Sequence, residues 1–443
     1  MIAGCTALLF VLQMLGMQAM QDEVLDDPRP GFNALYIARY AVGVNQLFPN
    51  QAQPILLQFD AVTAASPFEI EGRIRSTILA GEIAGPEAVA TRADSLKADF
   101  EPDVDTGTDK PADATARQDA SLVHSIYAEH YTPTKAESNG LIERHGWFGE
   151  LAATHNLPRN DADRRAVRRS GTWMMLGVLG LWASALIGGI VGLGLLITLI
   201  VLIAMRKQTL ACPAGVAGHP TAYLETTALF LVLFIALQVV IGLIQLAGDF
   251  DLTLVLLLGA PVALLWPLLN GVSWSRYKQD MGYHCGRGVW REIGAGFVGY
   301  LAGLPIIAVG MGITYLITSL AKASADHPMQ YELMDAGVSK LVILVGAAVV
   351  WAPLVEESVF RCAFYRHLRQ VTGVPGWMLA TVVSSFVFAA IHPQGFAGIP
   401  ALMAIAFVLA GMREWRGSAI PSIFAHALHN GALVVLMGVI LYA

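Results

Sequence analysis

Residues 173–205 form a run of 33 residues without a single Asp, Glu, Lys or Arg. A helix needs ~20 apolar residues to cross the hydrocarbon core of a bilayer, so this run alone commits the chain to a membrane. Seven more stretches have the same character: 223–247, 252–272, 293–320, 341–355, 377–391, 399–412 and 420–442. Together they predict an all-α fold, a polytopic transmembrane helix bundle of about eight spans. The count becomes nine if the Gly188-Gly189 and Gly192-x-Gly194 cluster turns the first run into a hairpin.

Charge divides the chain in two. Residues 1–170 hold 15 Lys and Arg against 23 Asp and Glu, while the longer stretch 171–443 holds only 13 and 11. The sequence therefore reads as an acidic, soluble helical domain over 21–170, followed by the membrane bundle over 171–443. Residues 1–20 are a candidate signal or short anchor, although no positive segment precedes the apolar stretch 8–20. Helical patterns cover 32–47, 67–81, 86–100, 121–130 and 137–155. Between them the tract 101–119, rich in Asp, Thr, Ala and Pro, reads as a flexible loop. There is no surplus of Lys and Arg, so a broad basic face for nucleic acid is excluded. The four cysteines, Cys5, Cys212, Cys285 and Cys362, have no paired spacing and define no disulfide framework.

Basic residues cluster at 275–292, at Arg361, Arg366 and Arg369, and at Arg413 and Arg416. The positive-inside rule places these regions on the cytoplasmic side. The cluster Arg164, Arg165, Arg168 and Arg169 and the pair Arg206-Lys207 flank the same apolar run. Both can be cytoplasmic only if that run is a hairpin.

Ionisable residues inside spans cost roughly 2.5–3.5 kcal/mol each on insertion scales and mark functional sites by default. Three places qualify. Glu356 and Glu357 form a diacidic pair, with Arg361 placed to share a helical face with Glu357; Glu356 points about 100° away. His392 closes an apolar helix just before Pro393, where a capping role is the plain alternative. His426 and Asn430 share one face of the last span, with His429 on its flank. Glu356 and His392 each lie 18 residues from Val374, so an antiparallel hairpin sets them level, each ~27 Å from the turn. The amphipathic segment 361–370 is expected to run along the interface. His426, about seven residues into its span, reaches a similar depth.

A carboxylate and an imidazole can jointly hold and deprotonate a water. A second histidine and an amide can donate to the oxyanion of a tetrahedral intermediate. The three ordered motifs, Glu356-Glu357-x-x-x-Arg361, Phe388-x-x-x-His392 and His426-x-x-x-Asn430, resemble those of the CAAX protease and bacteriocin-processing family of intramembrane glutamic endopeptidases, which includes the CAAX prenyl endopeptidase. The resemblance covers about 338–443 and leaves 1–170 as an added module. It implies that Glu356 is the general base, that His392 assists it, that His426 and Asn430 stabilise the oxyanion, and that Glu357 and Arg361 support them. It implies no metal and no cofactor. Cys362 departs from the glycine that many members carry there.

Three other readings accompany this one. The same residues in a zinc-dependent metalloprotease would use Glu356, His392 and His426 as ligands, although no His-Glu-x-x-His is present. A non-enzymatic membrane scaffold, or a bacteriocin-immunity type of binding protein, would instead tolerate loss of Glu356 and His392. A transporter ranks lower, because no internal repeat is visible. The expected partners are the lipid bilayer and a membrane-associated peptide or protein substrate. The expected location is the cell membrane.

Overall fold

The computed structural model describes residues 1–8, 32–64, 69–99, 111–205, 221–245, 255, 258–321, 337–373 and 376–442. Residues 9–20, most of the candidate signal or anchor, lie outside them. So do 101–110 and 322–336. The described residues contain no strand, so the chain is all-α. The chain divides into two compact units. One takes residues 19–183 with 435–443, and the other takes 1–18 with 184–434.

The first unit is built from α1 (Phe32–Leu47), α2 (Gln53–Ala64), α3 (Glu69–Ala84), α4 (Pro86–Asp99), α5 (Pro111–Ala128), α6 (Lys135–His145), α7 (Trp147–Ala153) and the start of α8 (Ala162–Ala204). Ile37, Phe59, Ile74, Ile78, Val123, Ile126, Phe148 and Leu151 form its core. Helix α6 starts on a capping box in which Thr134 and Glu137 satisfy each other's backbone N–H. Gly146, at φ 55°, breaks the expected single helix over 137–155 into α6 and α7.

The C-terminal half of the tract read as a loop belongs to α5. Its alanines favour the helix, and Asp119 is held inside by Arg144 and by Nε2 of His145 at 3.1 Å. Glu82 is likewise buried, accepting from Arg164 Nη2 at 2.8 Å and facing Nδ1 of His155 at 2.7 Å. Arg168 lies 3.5 Å from the same carboxylate. Two arginines of the cluster before the long apolar run are therefore partners of an internal acid rather than free charges.

That apolar run is one helix. Its N-terminal basic cluster and its uncharged stretch both lie on α8, and the hairpin alternative does not hold. Trp182 and Ile190 are about two-thirds exposed, as befits side chains whose solvent is lipid.

The second unit contains the rest of α8, α9 (Ala222–Gln245), α10 (Ala260–Leu269), α11 (Trp274–Asp280), α12 (Val289–Ala321), α13 (Val338–Thr372), α14 (Trp377–Ala390), α15 (Gly395–Arg416) and α16 (Ile420–Tyr442), of which only the part up to Val434 belongs here. Among the described residues, six helices are long and apolar enough to span a bilayer, and α10 and α14 are shorter apolar helices. Of the eight stretches read from the sequence, six lie on these long helices, 377–391 lies on a short one, and 252–272 is described only in part. A contact between α8 and α12 accounts for Gly192 in the glycine cluster. Pro305 has no N–H for the Leu301 carbonyl one turn earlier. A Cβ on Gly192 would lie 2.0 Å from that carbonyl oxygen, so only glycine lets the two backbones approach this closely.

The arginines that follow the spans are locked by buried acids. Arg366 Nη2 lies 2.7 Å from Asp280, which also accepts from Tyr223 and Arg276. Arg369 pairs with Glu414 at 2.8 Å, and Arg416 pairs with Glu292 at 2.6 Å. Segment 361–370 therefore does not present its arginines as an exposed basic stripe. Arg361, Arg366 and Arg369 point inward because each finds a carboxylate there. The exposed cations that still bias this end are Arg276, Lys278, Arg287 and Arg291.

Two predictions follow from these contacts. Gly192→Val should force α8 from α12 and lower the melting temperature of the detergent-solubilised chain, whereas Gly194→Val, at a position with nothing within 4 Å, should not. In the first unit, acid should be destabilising. Burial pushes Glu82 and Asp119 up, but the hydrogen bonds and charges of His155 and Arg164, and of His145 and Arg144, outweigh it and hold both carboxyls below their usual range. Burial pushes His145 down. In all three cases the unfolded chain binds protons more readily. The His145 contribution is lost as pH falls through about 6.5, and the carboxylate contributions below about 4.5. Hydrogen exchange over 111–160, corrected for intrinsic rates, should speed up in that order, and Glu82→Gln should remove part of the step at lower pH.

Candidate active site

Helix α13 carries the diacidic pair, and its backbone is not regular. Over Ala347–Trp351 and Glu357–Phe364 it widens to π-helical turns. The Ala352 N–H reaches back five residues to the Ala347 carbonyl, and Tyr365 does the same to Phe360. Wide turns of this kind gather at functional sites because they rotate the side chains that follow. Glu356 sits between the two wide turns, at the end of the short α-helical segment Ala352–Glu356.

The two glutamates have opposite environments. The Glu357 side chain is fully buried; it takes Arg361 Nη1 at 3.1 Å and His426 Nδ1 at 3.0 Å, both on Oε1. The Glu356 side chain is 25 % exposed. Its Oε2 is enclosed and makes no hydrogen bond, so the exposure falls on the rest of the side chain. Two imidazoles face the enclosed oxygen, with His392 Nε2 at 3.7 Å and His426 Nε2 at 3.8 Å.

Both imidazoles are oriented by acceptors. His392 Nδ1 lies 2.6 Å from the Phe388 carbonyl, which is left free because the His392 N–H goes to Ala389 instead. A carbonyl only accepts, so Nδ1 carries the proton and Nε2 is the atom turned to Glu356. Glu357 imposes the same tautomer on His426. Oε2 and two Nε2 atoms within 4 Å of it would repel one another as bare acceptors, so this arrangement calls for at least one proton among them.

Phe388 packs the site from below. Arg361 stacks on its ring at 4.2 Å, the His392 ring lies at 4.3 Å, and the His426 ring meets it edge-on at 6.1 Å. Ser384 donates to the Phe360 carbonyl at 3.1 Å, across to the second wide turn. Tyr283 donates to Ser358, which donates in turn to the Leu354 carbonyl, bracing the same helix from the 281–288 loop.

The structure thus gathers Glu356, His392 and His426, as the hairpin arithmetic requires, with Glu357 and Arg361 behind them. Asn430 is nearby but engaged: its Nδ2 donates to the Ala348 carbonyl at 2.8 Å. His429 turns away and pairs with the Tyr300 hydroxyl at 3.2 Å. His392 proves to be both a helix cap and a neighbour of Glu356. The sequence reading missed the Tyr300 pair, the Phe388 platform and the Ala348 carbonyl. Phe388 stands in the second motif without a role assigned to it, and the Ala348 carbonyl left a signal in Pro353, which withholds an N–H five residues downstream. Cys362 is buried beside Tyr277, Met281 and Ala363. Among the described residues no three His, Cys, Asp or Glu side chains are placed to hold a metal ion.

Glu357→Ala should strand Arg361 as an unpaired buried charge and cost about 3–5 kcal/mol. A double variant that also carries Arg361→Met should recover most of that loss in a thermal melt in detergent. No recovery would mean that the pair does not carry the effect.

Residues 338–432 match the family model described as type II CAAX prenyl endopeptidase Rce1-like. No curated protein and no solved structure matches the chain.

Proposed function

We propose that this chain, whose residues 338–432 form an Rce1-like domain of the type II CAAX prenyl endopeptidase family, is an intramembrane endopeptidase that cleaves a peptide bond of a membrane-associated substrate with a water activated by Glu356. The observation that carries the reading is the Glu356 carboxylate, with one oxygen enclosed and faced by two oriented imidazoles on a side chain that is a quarter exposed. An isolated carboxylate at such depth would be costly and purposeless. Here it is surrounded by groups suited to moving a proton.

In this mechanism Glu356 takes a proton from a water on its open side as the water oxygen bonds to the peptide carbonyl carbon. His392 assists by orienting that water and balancing the charge on Glu356. The carbonyl oxygen becomes an oxyanion and accepts hydrogen bonds from Asn430 and from His426. In its imidazolium form His426 donates from Nε2, with its charge beside Glu357. The C–N bond then breaks as Glu356 returns its proton to the leaving nitrogen. Glu357 and Arg361 touch no reacting atom in this scheme; they hold His426. The charge bias of the 275–292 loop supports a site near the cytoplasmic face of the cell membrane, and the acidic domain over 21–170 is read as an added module that docks or gates.

The test compares the N-termini of membrane peptides from cells carrying wild type, Glu356→Gln or His392→Ala at matched protein levels. A set of N-termini present with wild type and absent with both variants is expected, with at least ~100-fold less cleavage. Coinciding profiles, with both variants folded and restoring whatever phenotype the deletion causes, would make the chain a scaffold or immunity-type binder instead.

A further inference from the structure

The Ala348 carbonyl lies inside the membrane-spanning part of α13 and lacks its helical partner. In a regular helix it would accept the Ala352 N–H, but that N–H is drawn back to Ala347. In a π-helical turn the next available donor would be residue 353, and a proline there has no N–H. A bare carbonyl in hydrocarbon is costly, and no water is present to relieve it. The donor that reaches it comes from another helix: the side-chain amide of Asn430 on α16, at 2.8 Å. An amide NH2 carries two hydrogens, and the carbonyl uses one. The second is then held in a set direction, one turn along the same face from His426, whose Nε2 faces Glu356.

We propose that Pro353 is a positioning residue: by withholding its N–H from the Ala348 carbonyl it creates the anchor that orients the Asn430 amide, so that the free N–H is aimed at the oxyanion. This rests on the endopeptidase reading of the Glu356 site. It explains why a proline stands three residues before the glutamate on a helix that must cross lipid, where an unmatched carbonyl is otherwise selected against. It also assigns Asn430 two simultaneous tasks, a backbone staple with one hydrogen and an oxyanion donor with the other.

The test is a double-mutant cycle on the purified full-length chain, with wild type, Pro353→Ala, Asn430→Ala and the double variant. Two quantities are read for each: the melting temperature in detergent, and kcat and KM on a fluorogenic peptide spanning a cleavage site found by the N-terminus comparison. Asn430→Ala should melt lower than wild type, because the carbonyl loses its donor. In the Pro353→Ala background, where the backbone offers its own N–H, the same change should leave the melting temperature nearly unchanged. Pro353→Ala should melt no lower than wild type yet lose at least ~10-fold in kcat with KM little changed, as expected when a donor present in the site is misdirected. Adding Asn430→Ala should then cost much less kcat than it costs in the presence of Pro353.

Additive melting losses would overturn the anchor, and so would a Pro353→Ala chain with wild-type kcat. The endopeptidase reading fails separately. If wild type cleaves nothing while the melting cycle is strongly non-additive, the staple stands and the catalytic half of the proposal is overturned.

Discussion

A carbonyl released from its helix inside a bilayer has to find a donor within the protein, and much of the candidate site is built from donors doing this. Pro353 and the wide turn before it release the Ala348 carbonyl, and Asn430 takes it. The end of α14 releases the Phe388 carbonyl, and the His392 side chain takes it. Each of these side chains is thereby fixed in place by a break in the backbone rather than by another side chain. Such anchors are hard to displace, since losing one strands a polar group in hydrocarbon. Between α8 and α12 the carbonyl that Pro305 leaves free instead faces Gly192, which has no side chain to keep the two backbones apart.

Buried charge follows a parallel rule. Glu357 is sealed and has Arg361 and His426 as partners, while Asp280, Glu414 and Glu292 each hold an arginine at the polar ends of the helices. Glu356 departs from the pattern: it has no cation at hydrogen-bonding distance, only two imidazoles just beyond that range. A paired acid holds structure, whereas a carboxylate left facing titratable rings and an open side is equipped to gain and lose a proton. The contrast between adjacent residues separates the supporting glutamate from the working one.

Much of this was legible in the sequence because hydrophobic length and helical spacing are local properties. The uncharged run 173–205 required a span, the interval of four from Glu357 to Arg361 required a shared face, and the equal distances of Glu356 and His392 from Val374 required that they meet. Other features were hidden because they depend on which element lies opposite. Arg366 and Arg369 look like an interfacial basic stripe until Asp280 and Glu414 are found facing them. Residues 111–119 look like a loop until Arg144 and His145 give Asp119 a buried partner. Whether the glycines at 188–194 turn the chain or pack it depends on Leu301, more than a hundred residues away.

The chemistry comes down to what occupies the open side of Glu356. A high-resolution density map of the purified full-length chain in lipid, collected alongside metal analysis of the same sample, addresses this directly. Activation of water by a carboxylate predicts a peak about 2.8 Å from a Glu356 oxygen, at hydrogen-bonding distance, with no stoichiometric metal in the sample. A peak at about 2.0–2.2 Å from Glu356 and from the Nε2 atoms of both His392 and His426, accompanied by one zinc per chain, would contradict it and make the centre a metal site.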